Sequence, residues 1–420
     1  MGDTGGSFVA QILFENGDLL DPAAGELRPG TSLLVEADRI VEVSDRPIRA
    51  AGAVRIDARG RTLMPGLIDA HVHATITTLN LAAMQGRPAT LVAFEAGRVL
   101  EAMLRRGFTT VRDAGGADWG IAEAVRRGLV KGPRLFFSGR TLSQTGGHGD
   151  FTPRADGAGL CACQIHSNGF SHVADGVPAV RKAAREELRR GATQVKIMAS
   201  GGVASPSDPI WNLQYSMEEL RAIVEEAEGW RTYAMAHAYT PEAITRAVEA
   251  GVRSIEHGNL IDRTAANKMA GKGAYLVPTL VTYYALDELG RKLGFPEVSQ
   301  RKVRDVLDAG LASLEICREA GVPLGFGTDL LGETHEQQSR EFSIRAQVQS
   351  PAEVIRSATI VNAAILNRVG ELGVLAPGAK ADLLLVDGDP LRDLTLLEGQ
   401  GKHLAAILRD GELVVNRTDA

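Results

Sequence analysis

Three cysteines in 420 residues, Cys161, Cys163 and Cys317, are too few for a disulfide framework. Two of them form C-x-C in "GLCACQIHSNG" beside His166, but a soft-metal site of this kind usually needs a second cysteine pair, so they are read as loop thiols. No run of about 18 consecutive apolar residues occurs, so no membrane-spanning helix is expected. No block of Lys and Arg stands out. The formal charge of −6, from 46 basic and 52 acidic residues, is mild, and neither nucleic acid nor a membrane surface is expected as a partner. "MGDTGGSFVAQILFENGDLL" shows no basic segment leading into an apolar core, which sets the expectation of a cytoplasmic location. No G-x-G-x-x-G opens the first strand-to-helix turn, which weighs against a doubly wound dinucleotide-binding sheet.

What is present is an ordinary globular composition, 44% hydrophobic and 23% charged, on a chain long enough for a large barrel plus a second lobe. From Phe8 to about Met64, short apolar runs alternate with Gly, Asp and Pro, as in "TSLLVEADRIVEVSD". The same texture returns in "LGVLAPGAKADLLLVDGDP" and "LAAILRDGELVVN", which predicts a small β-sandwich built from both chain ends, residues 1–64 and 367–420. Between them, over residues 65–366, strands alternate with amphipathic helices. Strands are expected to end near His73, Asp113, Ser138, Ala199, His237, His257, Thr279 and Asp329, a pattern that fits a (β/α)8 TIM barrel. Ser216 with Glu219 and Ser350 with Glu353 read as capping boxes, and Thr240 before Pro241 reads as a helix start.

In "IDAHVHATI", His71 and His73 must share one side of a strand, because side chains alternate along it. H-x-H alone is weak evidence of a metal site. In a barrel, however, chemistry sits where strands end, and those positions hold His71, His73, Lys196, His237, His257 and Asp329. Neutral imidazoles and a carboxylate suit Zn²⁺, with Mn²⁺ or Co²⁺ also fitting. The lysine is the odd member. Deprotonated by a low-dielectric, electropositive site, it can take up CO₂ to form a carbamate, N6-carboxylysine, whose two oxygens bridge two metals.

This set, with "MPGLIDAHVH" before it and "GVLAPGAKADLLLVD" after it, resembles the metal-dependent amidohydrolase superfamily. More narrowly, "TGGHGDFTPR", "KIMASGGVASPSDP", "AHAYTPEAI" and "SIEHGNLID" resemble the branch of Xaa-Pro and Xaa-Arg dipeptidases and ochratoxin-hydrolysing amidases. The resemblance implies that His71, His73 and Asp329 bind the more buried of two divalent ions and His237 and His257 the other, with carboxylated Lys196 and a hydroxide bridging them. It implies an amide hydrolase that releases a C-terminal amino acid from dipeptides or N-acyl amino acids, ochratoxin A (to phenylalanine and the isocoumarin acid) included. It also implies a small-molecule substrate and a homo-oligomer, an octamer being one such form.

Asp329 is expected to take the proton from the attacking water and pass it to the leaving amine. Tyr239 and His148 are candidates for holding the substrate carboxylate or carbonyl, and Trp211 for lining the leaving-group pocket from a possible lid, Gly201 to Ser216. Asp69 and Glu256 are candidate partners behind the ligands, although in a regular strand Glu256 points away from the face of His257. Asp113 is given no ligand role, and His166, His172, His335 and His403 are read as surface or loop residues. A cyclic-amide hydrolase, resembling hydantoinases and dihydroorotases, is the alternative enzyme. A non-catalytic scaffold is disfavoured because all six ligand positions are filled.

Overall fold

Strand-forming runs at the two ends of the chain meet in one sheet. The computed structural model describes residues 11–84, 86–152, 170–205 and 208–418; Cys161, Cys163 and His166 lie outside them. The described residues divide into two compact units, one from residues 11–68, 105–109 and 350–418, the other from residues 69–104 and 110–349. By this division the helix Pro351–Arg356 belongs to the first unit.

In that first unit, an eight-stranded sheet runs in the order Glu412–Asn416, Leu404–Arg409, Leu383–Val386, Thr62–Pro65, Gln11–Asp21, Glu26–Glu36, Arg39–Ser44, with Val54–Asp57 also paired to Gln11–Asp21. The N- and C-terminal contributions join where Leu383–Val386 pairs antiparallel with Thr62–Pro65, Leu384 opposite Met64. Phe14, Leu19, Leu33, Val35, Leu383 and Leu408 form its core. The strand Gln11–Asp21 shifts register around Gly17, where an added Cβ would stand 2.5 Å from Leu63 Cδ1, so this position accepts only glycine without rearrangement.

Parallel strands build the remaining sheets. One sheet runs Ser171–Val173, Thr141–Ser143, Val195–Met198, Ala234–Ala238, Ser254–His257, Tyr275–Val277, and a three-stranded sheet runs Leu67–Val72, Phe108–Asp113, Arg134–Phe137. Most of these strands are buried at every position, as parallel strands covered on both faces must be. Residues outside both sheets bond to their strands: Thr193 N donates to Phe137 O (2.8 Å), Gly325 N to Leu276 O (2.8 Å) and Ala70 N to Phe326 O (2.8 Å).

The expected eighth strand therefore exists only as a bridge, Leu276 opposite Leu324. Pro323 has no N–H to give the ladder, and Gly325 and Gly327 weaken it further. Gly327 is nonetheless required there, since a Cβ would lie 2.5 Å from Val277 Cγ1 and 2.8 Å from His71 Cβ. Both capping boxes form, and Thr240 caps the helix Pro241–Glu249 by accepting from Ala243 N. No helix among the described residues is long and apolar enough to cross a membrane.

Candidate metal centre

Alternation along Leu67–Val72 brings His71 and His73 to one side, with ring centroids 5.4 Å apart. Each ring is turned by a bond at its Nδ1. His71 Nδ1 meets Glu256 Oε2 at 2.7 Å, and His73 Nδ1 meets the Gly115 carbonyl at 2.8 Å. Both Nε2 atoms thereby face Asp329 Oδ1, at 3.3 Å and 3.1 Å. His71 Nε2 is buried and makes no hydrogen bond, which leaves its lone pair available to a cation.

His257 and Asp329 reach the same place by an unusual backbone. Both adopt left-handed conformations, φ 74° and φ 51°, at a strand end and in the loop after Gly327. A non-glycine residue there is strained, by about 1–3 kcal/mol each, and such strain tends to gather at functional sites. At His257 the turn cancels the strand's alternation. Contrary to the regular-strand expectation, Glu256 is not turned away from the centre: it contacts His71 while the adjacent His257 ring lies 5.0 Å from His71. His257 Nδ1 bonds Thr279 Oγ1 at 2.7 Å, and His237 Nε2 bonds the Gly201 carbonyl at 3.1 Å. The His237 and His257 rings are 4.7 Å apart.

The electrostatics suit cation binding. Burial pushes His237 and His257 well below the usual imidazole range, so both rings are neutral; neighbouring imidazoles and Lys196 reinforce it, and at His257 Asp329 opposes it without reversing it. Burial would raise Asp329, but His71 and His73 override it and hold the carboxyl well below the usual range. His73 shows the converse. Burial opposes its charge, yet Asp329 outweighs burial and raises its pKa, so the field there favours positive charge. Lys196, fully enclosed, is lowered by burial from 10.5 to about 8. Ligand-capable atoms of His71, His257 and Asp329 lie within 4.8 Å of one another. The donor set therefore fits divalent ions: neutral imidazoles at His237 and His257, the Nε2 atoms of His71 and His73, a carboxylate, and an amine that gives up its proton readily.

All six ligand positions read from the sequence line one cavity, together with His148 and Tyr239. Tyr239 is buried, stacks on His257 at 5.3 Å and shares a 2.7 Å hydrogen bond with Tyr283 Oη. Trp211 is not among the lining residues and is 73% exposed. Asp69 lies behind the site, accepting from the His71 backbone N–H, Thr328 and Gln338, and burial pushes it up to about 6. Asp113 accepts from the backbone N–H groups of Ala74, Gly115 and Ala117, shaping both strand-end loops. His335 is buried, with Nε2 3.3 Å from the Ile76 carbonyl, so its reading as a surface residue is corrected; His172 sits on a short strand.

Sequence reasoning missed four contributors. Arg112, fully buried, donates to both oxygens of Glu256 at 3.0 and 3.1 Å, and Ser254 donates to Glu256 Oε1 at 2.6 Å. Tyr283 joins Tyr239, and Asp208 lies 3.3 Å from His148 Nδ1. Arg112 precedes Asp113 in "VRDAGG", where an arginine inside an expected barrel strand was the only available signal.

The amidohydrolase family model matches residues 62–414. The chain is 31% identical to ochratoxinase of Aspergillus niger over 96% of this chain and 87% of that protein. Among solved structures it is similar to a prolidase complexed with N-methylphosphonate-L-proline, at 52% identity and a TM-score of 0.95 over 97% of this chain and all of that one. A Xaa-Pro dipeptidase with bound methionine aligns at 29% identity and a TM-score of 0.87, again over 97% of this chain and 100% of the other.

Proposed function

Since the chain belongs to the amidohydrolase family and is a hydrolase of amide bonds, we propose that it works with two divalent ions, Zn²⁺ first among them. Its substrates are dipeptides or N-acyl amino acids, cleaved to release the C-terminal amino acid. The observation that carries this reading is the gathering of Lys196 with four imidazoles and Asp329 on one cavity. A buried amine at about 8 suits carbamate formation, and a carbamate gives a second ion its anionic ligand. The relatives support the leaving group, since one is a prolidase crystallised with a proline phosphonate and another an ochratoxinase.

Bound there, divalent ions supply Lewis acidity to the scissile carbonyl and acidify water to near-neutral pKa. The remaining work falls to side chains of this chain. Asp329 accepts the proton as water attacks and delivers it to the departing amine, which leaves poorly unless protonated. His148 and Tyr239 face the cavity and hold the polar groups of the substrate. Ile76, Leu81, Phe151, Phe170, Leu286 and Leu331 form an apolar wall that excludes water and receives an apolar side chain. The same reading closes the parallel strands into a (β/α)8 barrel through residues 323–326 and makes the terminal sheet part of a composite β-sandwich. It includes a homo-oligomer, as the resemblance implies.

The test is a mass-spectrometric turnover screen of the zinc-loaded protein against pooled dipeptides, N-acyl amino acids, ochratoxin A, hydantoins and dihydroorotate, with Lys196→Ala in parallel. Release of a free amino acid from linear amides by the wild type alone is the expected result. Ring opening without cleavage of linear amides would move the protein to the cyclic-amide hydrolases.

A further inference from the structure

We propose that Asp208 is a positioning residue that fixes the His148 imidazole against His237, where that ring meets the substrate. The inference rests on the amide-hydrolase reading and adds a residue that reading does not use.

The His148 ring is held from several sides. It stacks on His237 with centroids 4.3 Å apart and planes 18° apart. Its Nδ1 lies 3.3 Å from Asp208 Oδ2. Gly202 lies flat against it: a Cβ added there would stand 2.3 Å from His148 Cε1 and 2.6 Å from each ring nitrogen. The backbone is held too, because His148 N donates to Gln214 Oε1 at 2.9 Å while Gln214 Nε2 donates to Asp208 Oδ2 at 3.2 Å. One carboxylate oxygen of Asp208 thus receives Gln214, the His148 ring and, at 3.0 Å, Gly202 N–H. His148, Asp208 and Gln214 are all buried.

Asp208 is itself anchored from outside the loop. Lys302, on the helix Glu297–Leu307, donates to the carbonyls of Gly202 (2.9 Å), Ser205 (2.7 Å) and Asp208. A loop that needed only to close over its own backbone would not require a glycine cut to the outline of an imidazole 54 residues earlier in the chain (202 − 148 = 54). The arrangement immobilises a ring that lines the cavity. Orientation of this kind is what partners behind a reacting group supply, and losing one typically lowers activity about 10- to 100-fold.

The test compares wild type, Asp208→Asn, His148→Ala, the double variant and Gly202→Ala, all metal-loaded and matched for metal content and melting temperature. In crystal structures, the His148 ring is expected to leave its stack on His237 in Asp208→Asn and in Gly202→Ala; this arm needs no substrate. In kinetics on an amide that the wild type cleaves, both variants should raise KM about tenfold or more with a smaller effect on kcat. The double variant should be no worse than His148→Ala alone. A ring that stays in place in both variants, or single losses that multiply in the double variant, would overturn the proposal. Absence of any turnover by the wild type would overturn the amide-hydrolase reading instead, and the ring position would still decide the role of Asp208. If Asp208→Asn fails to fold, Gly202→Ala tests the same positioning with the carboxylate intact.

Discussion

His71 Nδ1 stands 2.7 Å from Glu256 Oε2, with both side chains wholly buried. Burial alone would raise Glu256, but the Arg112 guanidinium and His71 hold it at about 2, so it is anionic and the Nδ1 proton is directed to it. His71 Nε2 is thereby committed to the metal side. Glu256→Gln is expected to weaken metal binding about 10- to 100-fold, measured by chelator competition. Unchanged affinity would reduce the contact to packing. Arg112→Leu leaves the carboxylate buried without its counter-charge, and the expected loss is about 3–5 kcal/mol in denaturant unfolding.

Lys196 is expected to carry a carbamate, visible by native mass spectrometry as the added mass of CO₂. With the folded-state pKa at about 8 instead of 10.5, the neutral amine becomes the main form above about pH 8. Recovery of CO₂-stripped enzyme in a fixed concentration of dissolved CO₂ should therefore quicken as pH rises from about 7 to 9. A flat rate would contradict the assignment. Lys196→Ala should lower the metal stoichiometry as well as the activity.

Asp329→Asn is expected to keep much of its metal, because His71 and His73 remain, and to lose about 10²- to 10⁴-fold in kcat. Full turnover in that variant would remove Asp329 from proton transfer.

The apolar wall makes a selectivity prediction. A charged side chain placed among Ile76, Leu81 and Leu286 would be desolvated without a partner there. Substrates with a phenylalanine or leucine side chain on that side should exceed their aspartate counterparts by about 10- to 200-fold in kcat/KM. Equal values for the two series would place that side chain elsewhere.

Glu341 gives a pH dependence separate from the metal ligands. Its carboxyl, buried and accepting from Val281 N at 2.7 Å, is pushed by burial from 4.5 up to about 8, with Arg345 opposing. The folded chain therefore holds a proton between those values that the unfolded chain releases, so the group's contribution is fullest below about pH 4.5 and is lost as pH rises towards 8. Glu341→Gln should flatten the decline in melting temperature over that window and be more stable than wild type near pH 9. A variant less stable than wild type at both ends would contradict this.

Much of the centre was legible because its signals are local. Alternation over two residues pairs His71 with His73 whatever the rest of the chain does. The helix starts at Ser216, Thr240 and Ser350 were equally readable, since a capping side chain bonds an N–H three residues on. Trp211 shows the limit. A tryptophan in a Gly- and Pro-rich loop looked like a pocket wall, but loop composition does not determine which way a side chain leaves the backbone, and this one faces solvent.

The sequence by itself determined which residues could serve as ligands and the order in which parallel strands deliver them, because those depend on periodicity and on where each strand stops. Only the tertiary structure decided how they are aimed. The left-handed turn at His257 places its side chain against the rule of the strand, and the left-handed turn at Asp329 aims a carboxylate from a loop. The bonds that orient His71 and His148 come from Glu256 and Asp208, 185 and 60 residues further along the chain. Such pairs form because segments distant in sequence lie side by side and share a buried, low-dielectric interior, where a polar group must find its partner in space.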